Sequence, residues 1–393
     1  MEELSRWRPE ATTGRPARVT TPATAPTTSG LAVGRTAFAA PTAGWVCLGG
    51  PTDHVLMHTG DGGATWQPRL SWRGQQIGPV TAFDDERAAV ILGLWPPHTE
   101  VNGRPVDADG PVALAAGTDD GGATWTLSPP LDPHGFMGMC HFLAPHRLRL
   151  PSRPLRYDEP WRLAGTDDGG ATWTSTAGPD GLPFLQAAFT TDRDGLLVTI
   201  DRRRADILWT TRDGGETWSR TPLPAPPKVP AHATTWLIPM VQPGRPALLL
   251  LRAERHNQTP APWAGTYAYL DVGGSWAGPY RLPMTPSGLD IGVAGPDGRF
   301  WAAAGHDLWD ADDLAGPWRH RSVPLRAEHL RADAWDPTLA PLPTTEVVAD
   351  IAPVGAGVLW LTSTHGAGLG GVPSGRLFRS DDDGDTWTEL TVG

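Results

Sequence analysis

Lysine is almost missing from this chain: Lys228 is the only one among 393 residues, and all the rest of its 32 Lys and Arg residues are arginine. That pattern fits the codon bias of a GC-rich genome and carries no mechanism. Cysteine is scarce too. Cys47 and Cys140 are too few for a disulfide framework or a zinc site. Both lie in apolar, strand-like runs, so buried free thiols are expected. No run of about 18 apolar residues occurs, so no membrane span is expected. The opening MEELSRWRPE lacks the apolar core of a signal peptide, which makes a cytoplasmic location the default unless a leader was removed. Charge is sparse at 19% and the formal net charge is −11. An acidic field does not gather phosphate backbones, so nucleic acid is excluded as a partner. The sequence also lacks a Gly-x-Ser-x-Gly elbow, a phosphate-binding loop, an HExxH pair and a dinucleotide fingerprint.

What the chain does have is turn residues and tryptophan: 47 Gly, 42 Pro and 19 Trp. That composition favours many short strands over long helices. Residues 1–30 read as a disordered or strap-like leader, because the Pro-, Thr- and Ala-rich stretch from Pro9 to Gly30 cannot bury enough surface to fold alone. A strand near Arg18 to Thr21 could still add to an edge. Beyond it, GTDDGGATW occurs twice, at Gly117–Trp125 and Gly165–Trp173. The pattern Thr-x-Asp-x-Gly-x-Thr-Trp recurs at Asp61 and Trp66, at Asp213 and Trp218, and, with Ser first, at Asp382 and Trp387. Asp271 and Trp276 keep all but the first position, and the stretch from Asp313 to Trp318 is degenerate.

Upstream of each motif lies a short apolar strand with a bulky residue: Phe38, Phe83, Phe142, Phe189, Trp236, Val293 and Ile351. A turn, a second strand and a third strand lead from it into the motif, and a fourth starts near the motif Trp. The strands are apolar on both faces, so each four-stranded unit must be covered on both sides by copies of itself. Radial repetition does this. The expected fold is an all-β, seven-bladed β-propeller with four antiparallel strands per blade and the repeated motif on each third-to-fourth hairpin. The blades run roughly over 31–70, 77–127, 135–175, 182–221, 231–282, 287–322 and 344–393.

Within the motif, Asp is expected to bond backbone N–H groups two residues on. Gly supplies positive φ, and Trp plugs the space beneath the hairpin. These residues resemble the Asp-box, or bacterial neuraminidase repeat, of sialidase-like propellers, over about residues 31–393. The resemblance implies that Asp61, Trp66, Asp120, Trp125, Asp168, Trp173, Asp213, Trp218, Asp271, Trp276, Trp318, Asp382 and Trp387 are structural. Photosystem II stability/assembly factor-like propellers carry similar boxes. In sialidases the active site has a three-Arg clamp, a Tyr activated by Glu and an Asp acid/base, with Arg-Ile-Pro opening the first blade. Here Arg35 falls near the first Arg without Ile-Pro, and Tyr280-Arg281-Leu282-Pro283 follows the fifth motif. No catalytic set carries over. Two acidic loops, at Asp107–Gly110 and Asp381–Asp385, start like calcium loops but lack Glu at the twelfth position. No metal and no cofactor are expected.

Antiparallel blades put the boxes and the first-to-second turns at one end. Ligand chemistry is expected at the other end, around the channel lined by the first strands. The longest loops there belong to blades two, five and seven and to the blade six-to-seven connection, and long loops on a rigid scaffold are where binding concentrates. The candidates on that face are Arg35, His98, Glu100, Asp107, Asp109, Tyr157, Asp158, Arg202, Arg203, Arg204, Glu254, Arg255, His256, His329 and Trp335. Two functions fit: a non-catalytic recognition or assembly scaffold taking a small molecule, glycan or peptide at the channel, or a sialidase-like glycoside hydrolase or lyase with paired channel carboxylates.

Overall fold

A computed structural model describes residues 15–21, 26–94, 100–105, 112–131, 140–152, 161–182, 184–200, 206–230, 233–242, 245–254, 263–284, 291–326, 346–365 and 375–393. They form a seven-bladed β-propeller with four antiparallel strands per blade. The innermost strands are Ala32–Phe38, Gln75–Ala82, His141–Ala144, Phe184–Phe189, Thr234–Met240, Ile291–Ala294 and Glu346–Gly355. Each pairs with the second strand of its own blade, as Phe38 does with Gly44 and Met240 with Leu248. Second strands are buried on both faces: all seven residues of Ala88–Leu94 are buried, as are all six of Gly44–Gly49. That is why they read as unbroken apolar runs rather than alternating ones. The cores lie between blades. Trp45, Trp72 and Leu70 of blade one pack with Val90, Leu92 and Trp125 of blade two. Val46 and Met57 of blade one pack with Trp360 and Leu377 of blade seven.

The ring closes by packing. All four strands of blade seven, Glu346–Gly355, Val358–His365, Leu377–Ser380 and Thr388–Leu390, come from the C-terminal part of the chain. Phe38 stacks on Trp360 with ring centroids 4.1 Å apart. The hydroxyls of Thr36 and Thr362 lie 2.9 Å apart, and Arg379 Nη1 donates to the Gly62 carbonyl at 2.6 Å. Two additions extend the sheets outward. Ala17–Thr20 pairs antiparallel with Thr124–Leu127, the outer strand of blade two, and buries Val19. The hairpin of Glu100–Val101 and Arg104–Pro105 adds to the outer strand of blade one through Trp72 and Val101.

Five motif turns share one set of hydrogen bonds. In blade one, Gly63 N–H donates to Thr59 Oγ1 at 2.9 Å, and the Thr59 hydroxyl donates to Asp61 Oδ1 at 2.8 Å. Thr65 donates its N–H to Asp61 Oδ1 at 2.9 Å and its hydroxyl to Oδ2 at 2.6 Å. The same network surrounds Asp120, Asp168, Asp213 and Asp382. The carboxylate therefore reaches the N–H four residues on, where two were expected, because two consecutive residues at positive φ, both glycine in four turns and Asp383 with Gly384 in blade seven, curl the chain back over it. The Thr65 hydroxyl, the Thr65 N–H and the Thr59 hydroxyl hold the Asp61 carboxyl at about 2. In blades two and seven the motif Trp ties neighbouring blades together: Trp125 Nε1 donates to the Arg69 carbonyl of blade one and Trp387 Nε1 to the Ser322 carbonyl of blade six, both at 3.0 Å.

Candidate functional site

First strands from six blades converge on a central cavity of about 320 Å³. Phe38, Phe83, Val241 and Ala352 give it an apolar mouth at the end carrying the motif turns. Deeper polar groups come from separate blades: His141 from blade three, Gln186 from blade four and Asp350 from blade seven. Asp350 faces open channel while protein mass rings it, and that mass pushes its carboxyl up to about 6. The Ile351 N–H, 2.9 Å from Oδ1, and the charge of Arg35 oppose the rise. Burial pushes the His141 imidazole down to about 4, against a bond to the Phe189 backbone. His141 is therefore neutral wherever Asp350 titrates.

Arg35 is exposed, close enough to lower Asp350 by its charge, and forms no ion pair among the described residues. Arg245 is the opposite case. From the first-to-second turn of blade five it donates to the Ala294 carbonyl of blade six and, at 2.8 Å, to the Pro353 carbonyl of blade seven. It is a clamp across three blades, and burial lowers its pKa. Trp236 on the first strand of blade five is 45% exposed. It lies four residues before Met240, where the chain turns at the motif end, so its indole belongs to the opposite half of the ring.

Of the channel-face candidates, Arg35 lies exposed on the first strand of blade one, near enough for its charge to lower Asp350. Glu254 ends the second strand of blade five, paired with Thr234 at the end away from the motif turns, and its carboxylate is bound by Arg252. Glu100 lies at the outer edge of blade one, because its hairpin pairs with the fourth strand and not the first. His98, Asp107, Asp109, Tyr157, Asp158, Arg202, Arg203, Arg204, Arg255, His256, His329 and Trp335 lie outside the described residues.

Sequence reading missed Asp350, His141, Gln186 and Arg245. A signal existed for two of them. The position just before the bulky residue is Ala37, Ala82, Ala188 and Gly292 in four blades, and His141 and Asp350 in two. Arg245 was hidden because the extra length of blade five was assigned wholly to its second-to-third loop. Register shows that Met240, not Trp236, occupies the place of Phe38, so part of the extra length is in the turn between Met240 and Leu248.

Among the described residues, no cluster of three or more His, Cys, Asp or Glu is placed to hold a metal ion. Among them, too, no helix is long and apolar enough to cross a membrane.

No protein-family model and no curated protein matches the chain. Solved structures do resemble it. The BP39L lectin from Burkholderia pseudomallei is 15% identical, with a TM-score of 0.50 over 92% of this chain and 98% of that one. The β-propeller domain of the Trilobed protease from Pyrococcus furiosus, of open velcro topology, is 8% identical, with a TM-score of 0.50 over 92% and 98%. A structure described as YCF48 bound to D1 peptide is 17% identical, with a TM-score of 0.39 over 96% and 85%. At 8% and 15% identity, the two likenesses at a TM-score of 0.50 speak for the propeller fold alone.

Proposed function

We propose that this chain is a non-catalytic recognition or assembly scaffold that takes a small molecule, glycan or peptide at the channel face opposite its Asp-box turns. The observation that carries this reading is Arg35, a solvent-facing guanidinium on the innermost strand whose charge reaches Asp350 but which forms no ion pair among the described residues. A guanidinium fork suits a ligand carboxylate. Trp236, exposed on an innermost strand, adds a flat apolar surface in the same half of the ring. A titration with synthetic dodecapeptides, free-acid and amidated at the C-terminus, tests the reading. Free-acid peptides should bind at least about tenfold more tightly, with Arg35→Glu abolishing the preference. No preference, or one that survives Arg35→Glu, would refute it.

One observation favours a sialidase-like hydrolase or lyase instead: the Asp350 carboxyl near 6 suits a general acid. A second channel carboxylate, needed for paired-carboxylate chemistry, is not among the described residues lining the cavity. Turnover of fluorogenic glycosides by the wild type, lost in Asp350→Asn, would replace the scaffold reading with this one.

A further inference from the structure

The motif turn of blade five has decayed, and its decay leaves a hole. In four of the five intact turns, blade seven with Gly384 excepted, the second glycine folds down onto the preceding blade with little room to spare. A Cβ on Gly63 would come 2.7 Å from Leu390 and 3.3 Å from Trp360, and one on Gly122 would come 2.7 Å from Arg69 and 3.1 Å from Trp45. Blade five has no Thr at the first motif position; Tyr269 stands there. Its Asp271 accepts one bond, from Gly274 N–H at 2.7 Å. The strands Gly265–Val272 and Ser275–Arg281 instead stay paired out to Val272 and Ser275, across a two-residue Gly273–Gly274 turn. The hairpin stands straight, Val272 is 59% exposed, and a Cβ on Gly274 would meet only the tip of Arg212. Between blades four and five this leaves a cavity of about 380 Å³ at the motif end, away from the channel. That is within the ordinary size range of small-molecule sites, about 300–1,000 Å³.

Its lining has a definite chemistry. Leu196, Ala247 and the Trp276 ring make an apolar wall, and Arg212, Asp194 and Asp271 supply the polar groups. The Arg212 guanidinium forms no ion pair among the described residues. Asp194 takes one hydroxyl bond, from Thr191 at 2.9 Å, and keeps acceptor capacity. Two carboxylates oppose an anion, and the guanidinium opposes a cation. A hydroxyl suits both, since it accepts from Arg and donates to Asp. We propose that this seam binds a neutral monosaccharide ring, its apolar face on Trp276 and its hydroxyls bracketed by Arg212 and Asp194. The site is independent of the channel reading.

Saturation-transfer NMR on the full chain, with the methyl glycosides of glucose, galactose, mannose, fucose and N-acetylglucosamine, tests it. At least one should bind. Arg212→Ala and Asp194→Asn, both exposed positions, should each weaken that binding about tenfold or more without changing the melting temperature. Arg35→Glu, in the channel, should leave it unchanged. The proposal is overturned if none of the five glycosides binds, if binding survives both seam substitutions, or if acetate or inorganic phosphate displaces the sugar.

Discussion

Replacing Thr59 by Val removes one hydroxyl and leaves the shape almost unchanged. The hydroxyl has two jobs. It accepts from the buried Gly63 N–H at 2.9 Å and donates to Asp61 at 2.8 Å. Thr59 itself is 1% exposed. In the valine variant the Gly63 N–H has neither partner nor water, a loss of about 1–3 kcal/mol. The bond to the more exposed Asp61 adds little. The expected cost is about 2 kcal/mol, concentrated in one turn. Amide exchange at Gly63, read by mass spectrometry or NMR, should then quicken about thirtyfold where local opening governs exchange. Thr65→Val is the control: its hydroxyl bond to Asp61, at 2.6 Å, is exposed, so the change should stay within about 0.5 kcal/mol. Equal effects at the two positions, or none at Thr59, would refute the claim that the first motif residue is the turn's buried cap.

Further outcomes follow from the charged groups. Glu346 is fully buried, and although burial alone would raise its carboxyl, Arg376, the Ser363 hydroxyl and the Arg326 N–H hold it at about 2. Arg376→Ala should cost about 3–5 kcal/mol by chemical denaturation, and pairing Arg376→Met with Glu346→Leu should recover most of it. The Asp61 and Asp382 carboxyls are both held at about 2, below the ordinary aspartate value. Their contribution is complete above that ordinary value and fades as pH falls through 2, so the motif hairpins should lose exchange protection between about pH 4 and pH 2. Asp350 runs the other way: its raised carboxyl is neutral below about 6. A carboxylate ligand on Arg35 should therefore bind more tightly as pH falls from 8 to 5, and Asp350→Asn should flatten that profile.

The fold was legible because it is written seven times. One glycine-rich turn and one apolar strand, repeated at steady spacing, force a ring of mutually covered sheets, and small changes such as Tyr269 for Thr do not hide the period. The channel was much less legible. Arg35, His141, Gln186 and Asp350 come from four blades and are brought together only by the curvature of the ring. Trp236 stands in the sequence pattern as the bulky residue of blade five, whereas register gives that place to Met240 and leaves Trp236 45% exposed four residues earlier. Closure by Phe38 on Trp360 was partly readable, since both end blades carry four strands of their own. The seam between blades four and five was not readable, because a cavity shows only once the hairpin's angle is known.

The account's main division is between turns that make shape and a channel that recognises. The dodecapeptide titration, run beside thermal melts on the wild type, Asp61→Asn and Arg35→Glu, tests it most directly. Asp61→Asn should melt earlier yet bind free-acid peptide as the wild type does, while Arg35→Glu should melt like the wild type and lose the binding. Loss of binding in Asp61→Asn with Arg35→Glu unaffected would contradict the account.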